Sequence, residues 1–276
     1  MKRLFLIFIC IPGVWFCTFA QNSIGHGHIG LYTMTVGEIK LTVITDGHLP
    51  VNPVQAEFAQ RIDSTKVAKT LENHFSSPVE VDLAMNVLLL EWGDKRVLID
   101  TGAGGIFGND SGHLGENLAY AGLSPKDVTD VVLSHAHPDH IGGLTDKRSG
   151  ELLYPNADVW ISKEECTFWL SDIPDFSKST MTDKTHMQML VQVARRNINA
   201  AKNRLRMYND GDTLLGCLQM LVVPGHTPGH SIIKIYSGNE ELFHIADIVH
   251  SEIISFEHPD WIYNSCLLYT SPSPRD

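Results

Sequence analysis

The chain has 276 residues, with 32 Asp and Glu against 21 Lys and Arg, so its formal charge is 21 − 32 = −11. An acidic surface of this kind excludes a nucleic-acid binder, whose phosphate contacts need a basic face. Residues 21–265 are enough for a single domain with a sizeable core, and they point to a small molecule as partner, with a homodimer compatible.

The chain opens with Met1-Lys-Arg and an apolar run to Phe19, and Thr18-Phe-Ala20 offers the small residues that a signal peptidase reads. Residues 1–20 are therefore expected to be a signal peptide cleaved after Ala20, with export to a periplasm or beyond. Pro12 and Gly13 interrupt a run already short for a membrane span, so no membrane attachment is expected after cleavage. The opposite end, Cys266–Asp276, is expected to be foreign. One allowed back-translation of it resembles a transposon end joined to a sequencing adapter, which places the end of the natural sequence near Ser265.

Between these ends the chain reads as strands with interspersed helices. Two β-rich runs from Leu31 to Leu49 flank Gly37-Glu38 and predict a hairpin. A helix is predicted over Asp63–His74, then strands over Val79–Leu90 and Arg96–Ile99 around the turn Gly93-Asp94. Asp100-Thr-Gly-Ala-Gly-Gly105 fits neither a Walker nor a dinucleotide spacing, and is read as a tight turn that brings Asp100 to the strand tips. His113–Leu123 reads as a helix, and Ser124–Asp127 starts a short one with Pro at its first position. Ala157–Ser162 is a further strand and Lys163–Leu170 a short helix. The Met-rich stretch around a helix at Thr182–Ala200 is open to two readings: a lid over the site, or a helix packed on the sheet. Strands over Gln219–Val223, Ser231–Tyr236 and Glu241–Ala246 follow, so the class is an α/β sandwich. Cys166 and Cys217 are compatible with a disulfide or with two buried thiols.

The chemistry concentrates at three strand ends. Val131-Val-Leu-Ser runs straight into His135-Ala-His137-Pro-Asp139-His140. In an extended segment, alternation sends His135, His137 and Asp139 to one side. Imidazole and carboxylate at this density suit a borderline divalent ion such as zinc, and suit two ions better than one. A second cluster, Gly225-His226-Thr-Pro-Gly-His230, follows Met220-Leu-Val-Val, and a third strand ends in Phe243-His-Ile-Ala-Asp247.

These motifs, in this order and with Thr45-Asp-Gly and Asp100-Thr-Gly, resemble the metallo-β-lactamase superfamily from Tyr32 to Trp261. Ile106-Phe-Gly108, Pro155-Asn-Ala, Phe168-Trp-Leu170 and His258-Pro-Asp are similar to the exported methyl-parathion-hydrolase-type and acyl-homoserine-lactone-lactonase-type branches. The resemblance implies an αββα sandwich, incomplete at the C-terminus, and two Zn²⁺ ions. It implies that His135, His137 and His226 hold the first metal, that Asp139 and His140 hold the second, and that Asp247 bridges them. It further implies one more histidine on a later strand, which the chain does not reach; this is expected to reflect a truncated record. His250 is expected to face away from the ions and at most to support a ligand; Asp100 is expected to orient a ligating imidazole, and His230 either to support a ligand or to pack structurally. Ala246 stands where the family usually has Gly. Phe107 and Trp169 stand where relatives have aromatic pocket walls. The implied reaction is hydrolysis of an ester-like bond by a metal-bridging hydroxide, with Asp139 handling a proton and a lactone as leading substrate. A phosphotriester and then a β-lactam come next. An iron-dependent redox or sulfur enzyme, or an inactive binding scaffold, is the alternative from another class.

Overall fold

The computed structural model of the chain describes residues 30–268. The expected leader, and residues 269–276 of the expected foreign tail, lie outside the described residues.

The predicted hairpin forms as β1 (Leu31–Val36) and β2 (Ile39–Val51), with Val36 paired to Ile39 across the two-residue turn. Two short helices follow, α1 (Val54–Phe58) and α2 (Ser64–Asn73); the Asp63 side chain caps α2 by accepting from the Thr65 N–H. Next come β3 (Val81–Trp92), β4 (Lys95–Ile99), α3 (Leu114–Tyr120), β5 (Asp130–Val132) and the one-turn helix α4 (Pro138–Ile141). Then β6 (Asp158–Ser162), α5 (Lys163–Leu170), α6 (Lys184–Ala200) and β7 (Leu205–Tyr208) complete the first half. The second half is β8 (Thr213–Leu214), β9 (Leu218–Val222), β10 (Ser231–Ser237), β11 (Glu240–His244) and the short α7 (Ile254–Glu257).

Strands β1 to β7 lie in chain order in one sheet, antiparallel through β4 and parallel from β4 to β7. Strands β11, β10, β9 and β8 form an antiparallel second sheet. The first sheet reads as continuous apolar runs because it is covered on both faces. Val87, Leu89, Leu98 and Val131 point to the helix side, where they meet Trp169, Leu190, Ala194 and Ile198. Their neighbours Leu88, Leu90, Val97, Ile99 and Val132 point to the other sheet and meet Leu218, Met220, Ile233 and Ile235. Each such burial contributes about 1.5–3 kcal/mol, and a slip of one residue exchanges the two sets, so the register is strongly fixed.

The helix α6 packs on the sheet. Leu190, Ala194 and Ile198 are buried in the helix-side core, which decides between the two readings of this segment against a lid. Cys166 and Cys217 are free thiols in cores on opposite sides of the first sheet. Strand β7 was not predicted. It is a four-residue edge strand whose alternation is masked by Arg206, which pairs with Asp158 of the neighbouring strand. Among the described residues, no helix is long and apolar enough to cross a membrane.

Candidate metal centre

The topology brings the three chemical strand ends together. Strands β4, β5 and β6 are parallel, so Asp100, His135 and Glu165 all follow carboxyl ends at one edge of the first sheet. Strands β9 and β11 both run antiparallel to β10, so His226 and Asp247 leave the second sheet at one common end.

At β5 the chain turns abruptly. Ser134 donates from its N–H and its hydroxyl to the Asp100 carboxylate, both at 2.7 Å. His137 caps α4, Pro138 takes its first position, and Asp139 and His140 follow on its single turn. Gly143 lets the Asp100 loop lie directly on this segment; a side chain there would strike the Thr101 carbonyl oxygen. Asp100 itself adopts φ 65°, a left-handed conformation that aspartate tolerates. Its carboxylate accepts from His140 Nδ1 at 2.8 Å, which fixes the orientation of this imidazole.

Asp247 stands at the focus. Its carboxylate oxygens lie 3.0 Å from His140 Nε2, 3.2 Å from His226 Nε2, 3.3 Å from His250 Nε2 and 3.8 Å from His135 Nε2. His137 Nδ1 is 2.7 Å from His226 Nε2. Asp139 sits at the rim, its carboxylate 3.4 Å from His140 Nε2. His230 holds Asp247 from behind: its Nε2 accepts the Asp247 N–H at 3.1 Å, which places its own proton on Nδ1.

Three donor sets converge: His135, His137 and His226; His135, His140 and Asp247; His226, Asp247 and His250. Within each, the ligand atoms lie within 4.8 Å of one another. The Nε2 atoms of His135, His137 and His250 are buried without a hydrogen-bond partner, although a buried polar atom is normally paired. Unpartnered imidazole nitrogens around a carboxylate fit a divalent cation of the zinc type. Burial holds His135 and His137 well below the ordinary histidine pKa and lowers His226, which keeps them neutral, as metal ligands must be. Burial also opposes the His140 cation, but the carboxylates of Asp247, Asp139 and Asp100 outweigh it and raise its pKa well above the ordinary value. Conversely, burial would raise Asp247, and the imidazoles of His140, His226 and His250 pull it well below the ordinary range.

Two expectations need correction. His250 does not face away. Residues 246–248 form an irregular turn, with Ala246 at φ 44°, and this swings His250 back onto Asp247. Trp169 is not a pocket wall: it is fully buried and donates its Nε1–H to Glu165 at 2.7 Å, its ring 5.8 Å from that of His137. Phe107, half-buried, also lies outside the cleft at the metal residues. That cleft has a volume of ≈ 380 Å³ and opens between β2, β3 and β11. Met34, Val43, Leu88, Leu242 and Val249 line it, and Asp139, His140, Asp247 and His250 close one end.

The sequence reading missed Glu165, a fully buried carboxylate between the two histidine clusters, and Tyr263, whose ring lies 3.9 Å from that of His250. Of the segment expected to be foreign, Cys266–Leu268 is described. Leu267 is buried and donates its N–H to the His226 carbonyl at 2.8 Å, and Cys266 Sγ lies 3.6 Å from His226 Nδ1.

A helix-backed pair of sheets with a His/Asp cluster at the shared strand edge defines the metallo-β-lactamase fold with a metal-binding site. The chain belongs to the metallo-beta-lactamase superfamily, which it matches over residues 82–271. It is 36% identical to AidC, a dizinc quorum-quenching lactonase solved with the product N-hexanoyl-L-homoserine, at a TM-score of 0.81 over 87% of this chain and 81% of that one. Hydrolase AbOPH of the beta lactamase superfamily is 28% identical, at a TM-score of 0.79 over 88% of this chain and 82% of that one. Metallo-beta-lactamase domain-containing protein 1 of Mus musculus is 32% identical over 146 residues, 51% of each chain. The chain thus spans about half the length of that curated relative.

Proposed function

We propose that the protein is an exported di-zinc hydrolase that opens lactones, with N-acyl homoserine lactones as the leading class. The observation that carries this reading is the Asp247 carboxylate, which faces imidazoles from both halves of the cluster at the closed end of an apolar cleft. The likeness to AidC supports the substrate class. His135, His137 and His226 would hold one zinc, Asp139, His140 and His250 the other, and Asp247 would be shared. Bound zinc supplies Lewis acidity, which polarises a carbonyl oxygen and acidifies water at neutral pH.

The chain's own residues do the rest. Met34, Val43, Leu88 and Leu242, which share the face toward the second sheet, would receive an acyl chain and exclude water from it. Asp139, in the cleft wall, would take a proton and return it to the leaving alkoxide. Asp100 fixes the His140 ring, and His230 fixes the Asp247 backbone, so the donor set is held before substrate arrives.

The test combines metal analysis of the purified protein with turnover of an N-acyl homoserine lactone, an aryl phosphotriester and a β-lactam. Two zinc ions per chain with the highest kcat/KM on the lactone is the expected result. Stoichiometric zinc with faster turnover of the phosphotriester or β-lactam, or with no hydrolysis at all, overturns the lactonase reading.

A further inference from the structure

We propose that Glu165 is the positioning residue of the metal centre: its carboxylate ties the His135–His137 segment of one sheet to the His226–His230 turn of the other. This rests on the reading that those histidines bind zinc. Glu165 lies in the first turn of α5, completely buried, and among the described residues it has no ion-pair partner. Its Oε1 accepts the Ala136 N–H at 2.9 Å and the Trp169 Nε1–H at 2.7 Å. Its Oε2 accepts the Thr227 hydroxyl at 2.7 Å and the Gly229 N–H at 2.9 Å.

The carboxylate therefore touches no imidazole, yet holds the backbone beside four of them. Ala136 separates His135 from His137, Thr227 follows His226, and Gly229 precedes His230. The Gly229 carbonyl is held as well, by the Ser162 hydroxyl at 2.8 Å, and a side chain at Gly229 would overlap the Glu165 backbone nitrogen. A buried carboxylate facing only neutral donors is expensive unless those donors need it. Here four donors from three separate segments converge on two oxygens, and together they set the spacing of histidines delivered by opposite sheets, including the His137–His226 contact at 2.7 Å.

The substitution Glu165→Gln separates positioning from packing. The amide is nearly the same size but has one acceptor oxygen, so it can serve only one of the two donor pairs and turns its NH₂ on the other. Thr227→Val is the milder companion, because it removes one donor and leaves the carboxylate with three. Zinc affinity by chelator competition, the ligand-field spectrum of the Co²⁺-substituted protein and thermal unfolding of the metal-free protein are compared with wild type. We expect Glu165→Gln to weaken zinc binding by about 10- to 100-fold and to shift the cobalt bands, with Thr227→Val between it and wild type. Wild-type zinc affinity and cobalt spectrum in Glu165→Gln, with only the unfolding temperature lowered, assign Glu165 to packing and overturn the proposal. If Glu165→Gln does not fold, Thr227→Val decides: unchanged affinity and spectrum overturn the proposal, and a shift in both supports it. Failure of the wild-type protein to bind zinc overturns this proposal together with the proposed function, whereas zinc-binding variants identical to wild type overturn this one alone.

Discussion

Replacing Asp247 by asparagine removes the one negative charge on which the cluster's imidazoles converge. The carboxylate lies 3.0 Å from His140 Nε2, and the two side chains are only 17% and 15% exposed. At an effective dielectric constant of 20 their attraction is about 5.5 kcal/mol, and desolvation offsets a good part of it. Breaking a buried pair by removing one partner costs about 3–5 kcal/mol, so we expect about 3 kcal/mol of lost stability in the metal-free protein. The pH window follows from the two shifts. The depressed Asp247 makes its contribution above the unfolded carboxylate value of about 4, and the raised His140 contributes fully below about 6.5 and loses its share as pH rises through its native pKa. The wild-type advantage in urea unfolding should therefore be large at pH 6 and shrink toward alkaline pH. The amide of Asp247→Asn is also a weaker metal ligand than the carboxylate, and zinc affinity should fall by more than the roughly 10- to 100-fold typical of supporting residues. Equal stability at pH 6 and equal zinc affinity in the two proteins refute the reasoning.

Ala246 adopts φ 44°, a left-handed conformation that costs an alanine about 1–2 kcal/mol. Ala246→Gly relieves it at an entropic expense of about 0.5–1 kcal/mol, so urea unfolding should show a net gain of about 0.5–1 kcal/mol; a loss contradicts the assigned backbone. Zinc binding should displace the proton that His140 keeps in the metal-free site, so affinity rises with pH. Calorimetry in buffers of different ionisation enthalpy checks this, and an uptake of protons counts against it. In the metal-free protein His135, His137 and His230 are buried with depressed pKa values, so acid below about 6.5 must lower stability as they charge on unfolding. Leu242→Ala should raise KM about fourfold or more for a long-chain lactone. At saturating zinc, Trp169→Phe, which removes one donor from Glu165, should leave KM unchanged and reduce stability by about 2 kcal/mol. A KM rise confined to Trp169→Phe would return the pocket wall to that residue.

The parts of the fold that were legible from the sequence are those with a local cause. Apolar runs such as Val131–Leu133 and Met220–Val223 are strands because both faces of the first sheet, and the inner face of the second, are buried. The histidines at their ends needed no tertiary information. Glu165 was hidden for the opposite reason. In Lys163-Glu164-Glu165 it reads as one of two acidic residues at a helix start, and only the meeting of two sheets makes it a buried acceptor. Trp169 was misread because an aromatic residue near a site looks the same whether it lines a cavity or donates to a carboxylate behind the ligands. His250 was misread because residues 246–248 follow neither helical nor strand periodicity, so spacing from Asp247 does not give its direction.

The central claim is a pair of metal ions gathered around Asp247 and used to open a lactone. Zinc content and turnover of an N-acyl homoserine lactone, measured on the same sample before and after chelation, test it most directly. The account predicts two zinc ions per chain, activity lost with the metal and recovered when zinc is restored. Lactone turnover that survives complete removal of metal would contradict it.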